Sequence, residues 1–339
     1  MLSIEKLEKI DQSNMHKIYD KWPSIARSAF DRDIEKLNMG VVPHIVFAGM
    51  GGSGTIGDVF SSILSKTDIH VDVVKGYHLP NTVKENSLLV CTSVSGNTIE
   101  TNSILEEGIS LGCKIISFSN EGKIKRKCID HNIEHRTISI EHSPRASFVK
   151  YLFTMINVLS PILPISNSDV NEAIKGLEET NMQISYKTLS EENSSLKLSD
   201  WIKNIPVIYY PWGLQSAAIR FKNSIQENAK MHSITEDIIE ASHNGIVSWE
   251  KNSALQPILI TGEDDYIKTK ERWEIIKEFF EEKNIEYWEI NSGKGNILTK
   301  LTRLIYTLDL SSIYLAVSRD VDPSPVSSID WIKKKLERL

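Results

Sequence analysis

Cysteine is scarce, with three in 339 residues. Cys91, Cys113 and Cys128 are odd in number and show no CxxC spacing, which excludes a disulfide framework and a zinc knuckle and fits a reducing cytosol. Long apolar runs are missing too: the stretch Ile205 to Tyr210, among the longest, falls far short of the roughly 20 residues a membrane helix needs. Nor is there a surplus of positive charge. The 39 basic residues face 45 acidic ones for a net charge of −6, so no global field gathers nucleic acid or acidic membrane. The opening MLSIEKLEKIDQSNMHKIYDKW lacks the uncharged core of a signal peptide and mixes charged and apolar residues at helical spacing. Compositional bias is also absent, since 40% hydrophobic and 25% charged residues lie near the globular average and exclude a disordered, collagenous or coiled-coil chain. The expectation is a cytoplasmic protein whose length predicts two α/β domains or one large one.

Residues 1–38 read as two amphipathic helices forming an N-terminal extension. From Pro43 the pattern changes. Short apolar runs at 44–49, 69–74, 87–93, 113–119 and 133–140 alternate with stretches of helical length, which predicts a parallel sheet covered on both faces, doubly wound and flavodoxin-like. Pro144 suits the first turn of a helix running to about Leu159. The segment Ser160-Pro-Ile-Leu-Pro-Ile-Ser-Asn-Ser168 reads as a linker between a first domain, 39–160, and a second, 169–339. The second half repeats the style of the first: helices at 169–186 and 190–203, a strand at 206–211, a helix from Leu214 to Asn228, strands at 257–261 and 285–290, and two closing helices.

Gly49-Met-Gly-Gly-Ser-Gly54 stands where the first strand gives way to a helix. Glycines there let backbone amides approach an anion at a positive helix N-terminus. The motif satisfies GxGxxG, but a dinucleotide site also needs an acidic residue ending the second strand, and Ile69-His-Val-Asp-Val-Val-Lys75 ends on lysine. NAD is therefore disfavoured. Cys91-Thr-Ser-Val-Ser-Gly-Asn-Thr98 likewise follows a strand and opens a helix, and its hydroxyls form a cup suited to a phosphate monoester. Two such cups at the carboxyl ends of parallel strands would meet in the crevice where open α/β sheets bind ligands. The bland alternatives are a tight strand-helix turn for the first and a simple N-cap for the second.

The GMGGSGTIGD loop followed by TSVSGNTIET resembles the sugar-isomerase (SIS) domain, which binds phosphosugars. More narrowly, SPRA, QENAK, SHNGIVSWE and DPSPV, in this order, are similar to the bifunctional phosphoglucose/phosphomannose isomerase family. The likeness runs from about residue 40 to the end. It implies two tandem SIS domains, a hexose 6-phosphate substrate, and a homodimer with an active site shared between subunits.

By that resemblance Gly52 and Ser53 in the first loop, with Ser93, Ser95 and Thr98 in the second, would hold the sugar phosphate. Arg145 in SPRA would stabilise an enediolate, and a guanidinium just inside a helix start facing the strand ends suits that charge. The competing reading is a surface pair with Glu141. Glu227 in QENAK matches the general base, at a helix end whose dipole disfavours the carboxylate; the bland reading pairs it with Lys230. His243 matches the histidine that opens the sugar ring, donated by the partner subunit, with Ile246 and Trp249 as apolar anchors to the neighbour. Gly245 departs from the family pattern, where an acidic residue is expected. Of Lys333, Lys334 and Lys335, Lys333 aligns with the family's closing lysine, and at about 100° per residue only one of the three can face a site.

His131-Asn-Ile-Glu-His135 spells HxxEH, but it straddles a helix end and a strand, so no metal site is expected there. The leading function is an aldose-ketose isomerase using neither metal nor organic cofactor, and binding neither nucleic acid nor membrane. The alternative is a non-catalytic SIS module that senses a phosphosugar.

Overall fold

The computed structural model describes residues 2–336. Three short helices open the chain where two were expected: α1 (Ile4–Ile10), α2 (Met15–Tyr19) and α3 (Trp22–Phe30). The break falls at Asp11–Asn14, where Asp11 Oδ2 accepts from the His16 amide at 2.8 Å and Asn14 takes a left-handed φ of 59°. These helices are not a surface pad. Leu7, Met15, Tyr19 and Trp22 are buried, and Trp22 stacks on Tyr19 and Tyr306.

The first sheet comprises β1 (His44–Ala48), β2 (His70–Val74), β3 (Leu88–Ser93), β4 (Lys114–Ser119) and β5 (Glu134–Thr137), all parallel, in the order β2-β1-β3-β4-β5. It is doubly wound. α4 (Gly51–Leu64) lies on one face through Ile56, Val59 and Phe60, whereas α5 (Ile99–Leu111) and α6 (Lys123–Asp130) cover the other through Ile104, Leu105, Ile124 and Cys128. The direction of winding reverses between β1 and β3, and the crevice at that switch point opens at their carboxyl ends.

The helix expected from Pro144 starts later, as α7 (Phe148–Leu159). Ser147 Oγ accepts from the Glu141 amide at 2.8 Å and donates to the Ser143 carbonyl at 2.8 Å, which folds residues 143–147 into a turn first. After a loop, the Ser166/Asp169 capping box begins α8 (Asn167–Ile184), followed by α9 (Ser194–Trp201). The second sheet is again parallel: β6 (Ile205–Tyr210), β7 (Ile234–Asp237), β8 (Leu255–Thr261) and β9 (Trp288–Asn291), in the order β7-β6-β8-β9. Its helices are α10 (Gln215–Ser224), α11 (Ile238–Ala241), α12 (Ile267–Glu282), α13 (Ile297–Ser318) and α14 (Ser327–Leu336). The sequence reading passes over β7, α11 and α12.

The strand orders of the two sheets match from the first edge inward, which supports a duplicated fold. One continuous core joins them: α13, buried along nearly its whole length, packs against α4, α8, α9 and α10. Among the described residues no helix is long and apolar enough to cross a membrane.

Candidate active site

The two glycine- and hydroxyl-rich loops leave the sheet side by side, because Ala48 of β1 is the register partner of Cys91 of β3. Gly49 has to be glycine: a Cβ there would meet the Thr92 carbonyl at 2.9 Å and Ser53 at 3.0 Å. Gly96 has a φ of 70°, and a Cβ there would overlap the Glu121 carbonyl. Both loops lead into helix N-termini, α4 and α5, where the positive end of the dipole favours an anion. Ser53 and Ser93 are buried. The Ser93 and Thr98 hydroxyls lie 2.9 Å apart, and Ser93 Oγ accepts from the Gly96 amide at 3.1 Å. Ser95 is exposed, accepting from the Asn97 amide at 3.2 Å.

Arg145 is the hub of the site. It is only 5% exposed, and its fork is spent on two segments distant in sequence. Nε donates to Asn228 Oδ1 at 2.8 Å, Nη1 to Glu227 Oε2 at 3.2 Å, and Nη2 to the carbonyls of Pro323 at 2.7 Å and Ser324 at 2.9 Å. Four of its five N–H groups are thus held within the chain. The fifth, on Nη1, sits beside the Glu227 carboxylate. SPRA, QENAK and DPSPV therefore converge on one guanidinium, and the surface pairing with Glu141 is not seen: Glu141 takes Lys150 instead, at 2.6 Å.

Glu227 sits not in an α-helical last turn but in a π-helical one, Ile225–Ala229, that continues α10. The wider turn is ended by Lys230, whose φ is 54°. Lys230 does not pair with the Glu227 side chain. Its Nζ donates to the carbonyls of Glu227 at 2.6 Å and of Asp322 and Pro323 at 3.2 Å each, tying the turn to the DPSPV segment. Partial burial and the nearby Arg145 charge lower its pKa below the usual lysine range.

Behind these groups lies a buried network that sequence reasoning missed. Arg220 donates to Asp309 Oδ2 at 2.7 Å and to the Arg145 carbonyl at 2.7 Å, while Ser224 at 2.6 Å and Tyr19 at 3.1 Å also hold Asp309. Asn228 is fixed from its far side by Ser312 Oγ at 2.8 Å. Gly52 closes the arrangement, since a Cβ there would lie 3.3 Å from Arg220 Nη1 and 3.6 Å from Arg145 Cα. The first glycine-rich loop thus abuts the arginine turn directly.

A cavity of about 700 Å³ opens at this junction, lined by Gly51, Glu227, Lys230, His232, Pro325 and Ile329 among others, a size suited to a small phosphorylated ligand. None of Gly52, Ser53, Ser93, Ser95, Thr98, Arg145, His243 and Lys333 is among its lining residues. Lys333 lies one turn beyond Ile329 on the same face of α14, while Lys335 sits over the Trp331 ring.

His243 is exposed, and the fold holds it away from its own Glu227. α10 returns the chain from β6 to the amino-terminal edge of the second sheet, so Glu227 lies at that edge. β7 then carries the chain back, roughly 13 Å over its four residues, and His243 follows at the carboxyl-terminal edge. Trp249 is no anchor for a neighbour: it is buried in its own chain, donating to Tyr209 Oη at 2.8 Å and packing edge-on to Phe280. The space beside Gly245 is filled by the Glu236 carboxylate.

The HxxEH histidines are not brought together. His131 ends α6, and His135 points from β5 with Nδ1 2.7 Å from Ser117 Oγ, its pKa lowered to about 4 by burial and by Lys125.

Residues 191–336 match the family model of the bacterial phospho-glucose isomerase C-terminal SIS domain. The chain is 29% identical over 339 residues to a bifunctional phosphoglucose/phosphomannose isomerase of Caldicellulosiruptor bescii, covering 96% of each chain. It is also 28% identical over 328 residues to a D-glucosamine-6-phosphate 4-epimerase of Sulfolobus acidocaldarius, covering 96% of this chain and 99% of that one. Among solved structures, a hypothetical protein of Thermus thermophilus superposes with a TM-score of 0.71 at 11% identity, over 99% of this chain and 89% of that one, a likeness of fold alone. Paired parallel sheets with glycine- and serine-rich loops at the first switch point, together with these matches, give the chain the SIS fold and a likeness to sugar-phosphate isomerases. Within that class its resemblance, over nearly its whole length, is to the bifunctional phosphoglucose/phosphomannose isomerase family.

Proposed function

We propose that this chain interconverts glucose 6-phosphate, and mannose 6-phosphate, with fructose 6-phosphate in the cytoplasm. The observation that carries the reading is the Arg145–Glu227 pair, 3.2 Å apart, beside a cavity that reaches the first phosphate loop. The loops around Ser53 and Ser93–Thr98 would hold the phosphate. Glu227 takes the proton from C2 of the open-chain aldose and returns it to C1, passing through a cis-enediolate. Arg145, immobilised by its other bonds, offers its remaining N–H to the developing oxyanion without reorganising. No step calls on a metal or an organic cofactor.

Ring opening falls to His243 and Lys333. The opposite placement of Glu227 and His243 along the second sheet supports a histidine supplied by a second copy, in a two-fold dimer with two shared sites. The exposed Ile329, Trp331 and Ile332 of α14 support burial of that helix against such a copy. Mixing inactive Glu227→Gln and inactive His243→Ala chains should restore about half of wild-type activity per heterodimer, because one site is then intact. Confirmed heterodimers as inactive as their parents would refute the shared site.

A second reading, epimerisation at C4 of an amino-sugar phosphate, is favoured by the full-length likeness to the Sulfolobus acidocaldarius enzyme. Incubation with each hexose 6-phosphate and with glucosamine 6-phosphate, followed by chromatography of the products, separates the two.

A further inference from the structure

The edge of the first sheet carries a group of side chains that the proposed reaction does not use. His44 and His70 are register partners on β1 and β2, and Asp72 follows His70 by two residues, so the pleat turns all three to one face. It is the face covered by α5 and α6, at the amino-terminal edge of the sheet, opposite the phosphate loops.

His44 is buried, with Nε2 3.0 Å from Asp72 Oδ2 and Nδ1 3.0 Å from Ser87 Oγ. Thr82 Oγ1 donates to the same Asp72 oxygen at 3.2 Å. Hydrogen bonding alone accounts for His44, because Ser87 and Asp72 satisfy both ring nitrogens. It does not account for His70. That side chain is 62% exposed, yet its ring lies against His44 with centroids 4.7 Å apart, and its Nε2 converges on Asp72 Oδ2 at 3.7 Å, too long for a hydrogen bond. One donor atom from each of the three residues falls within 4.8 Å of the others, and among the described residues this is the one such cluster of three.

We propose that His44, His70 and Asp72 bind one divalent cation of the zinc class. Two imidazoles and a carboxylate are the donors of a borderline-soft metal, not of magnesium or calcium, which take oxygen. Tetrahedral bonds of about 2.0–2.1 Å set ligand atoms about 3.4 Å apart. The 3.0 and 3.7 Å separations therefore need adjustments of a few tenths of an ångström, and the imidazole pair closes by about 1.4 Å at most through rotation of the exposed His70. Water completes the shell. Ser87 and Thr82 orient His44 and Asp72 from behind, as partners of metal ligands do. The ion ties the edge strand β2 to β1 and takes no part in the isomerisation.

The test uses the full chain without a histidine tag, loaded with zinc, dialysed at about pH 7.5 against metal-free buffer and counted by elemental analysis. About one zinc per chain is expected, falling at least fivefold in His70→Ala and in Asp72→Asn once each variant matches wild type by circular dichroism; His70→Gln replaces an alanine variant that does not. Added zinc should raise the thermal midpoint of the wild type by roughly 2 °C or more and leave that of the variants unchanged. Less than half an equivalent on the wild type, or a full equivalent kept by the variants, overturns the proposal.

Discussion

The two sheets share a strand order and differ at their switch points. In the first, the loops after β1 and β3 are Gly49–Gly54 and Val94–Thr98, rich in glycine and hydroxyls and without a carboxylate. In the second, the equivalent loop after β8 reads Gly262-Glu-Asp-Asp265, and Asp265 turns inward to accept from the Gly262 amide at 2.9 Å and from Trp273 Nε1 at 3.0 Å. A phosphate there would meet the carboxylates of Glu263, Asp264 and Asp265 in one loop. The second half instead faces the first with the far end of α10, where the π-helical turn sets Glu227 against Arg145. The sheets do not pool their carboxyl ends: that of the first meets the amino-terminal edge of the second. On the proposed reading, the first half binds the phosphate and the second moves the proton.

The largest effect that would sharpen this contrast is on turnover. Glu227→Gln should lower kcat by about 100-fold or more while leaving sugar-phosphate binding nearly intact, as single-turnover and binding assays would read. Next is the joint between the halves. Asp309→Ala leaves Arg220 charged and unpaired in the core, so urea unfolding should register a loss of about 3–5 kcal/mol, beyond what a surface pair contributes. The smallest effect tests the loops themselves. Ser95→Ala should weaken sugar-phosphate binding by roughly 1 kcal/mol, about fivefold, whereas Asp264→Ala in the second half should leave it unchanged. Equal effects from the two loops would break the comparison.

Much of the first half was legible in the sequence because β1, β3 and β4 are short, mostly apolar runs, two of them followed by glycine-containing turns. β7 was not, since Ile-Thr-Glu-Asp carries a single apolar residue on an edge. α12 was readable from Trp273, Ile276 and Phe280 at helical spacing and was passed over. The site divides similarly. Local loops announced themselves, but the convergence of Arg145, Glu227 and Pro323 depends on tertiary folding, and no local pattern marks Arg220 and Asp309, 89 residues apart, as partners. Trp249 read as an interface residue because an aromatic beside a polar loop gives no sign of which core will bury it.

Glu227 is proposed to move a proton between C1 and C2 against Arg145. Fructose 6-phosphate turned over in deuterium oxide, with the products read by NMR, tests it most directly. Deuterium at C2 of the aldose products, lost in Glu227→Gln, is the predicted result; product inverted at C4 with no label at C2, or labelling undiminished in the variant, would contradict it.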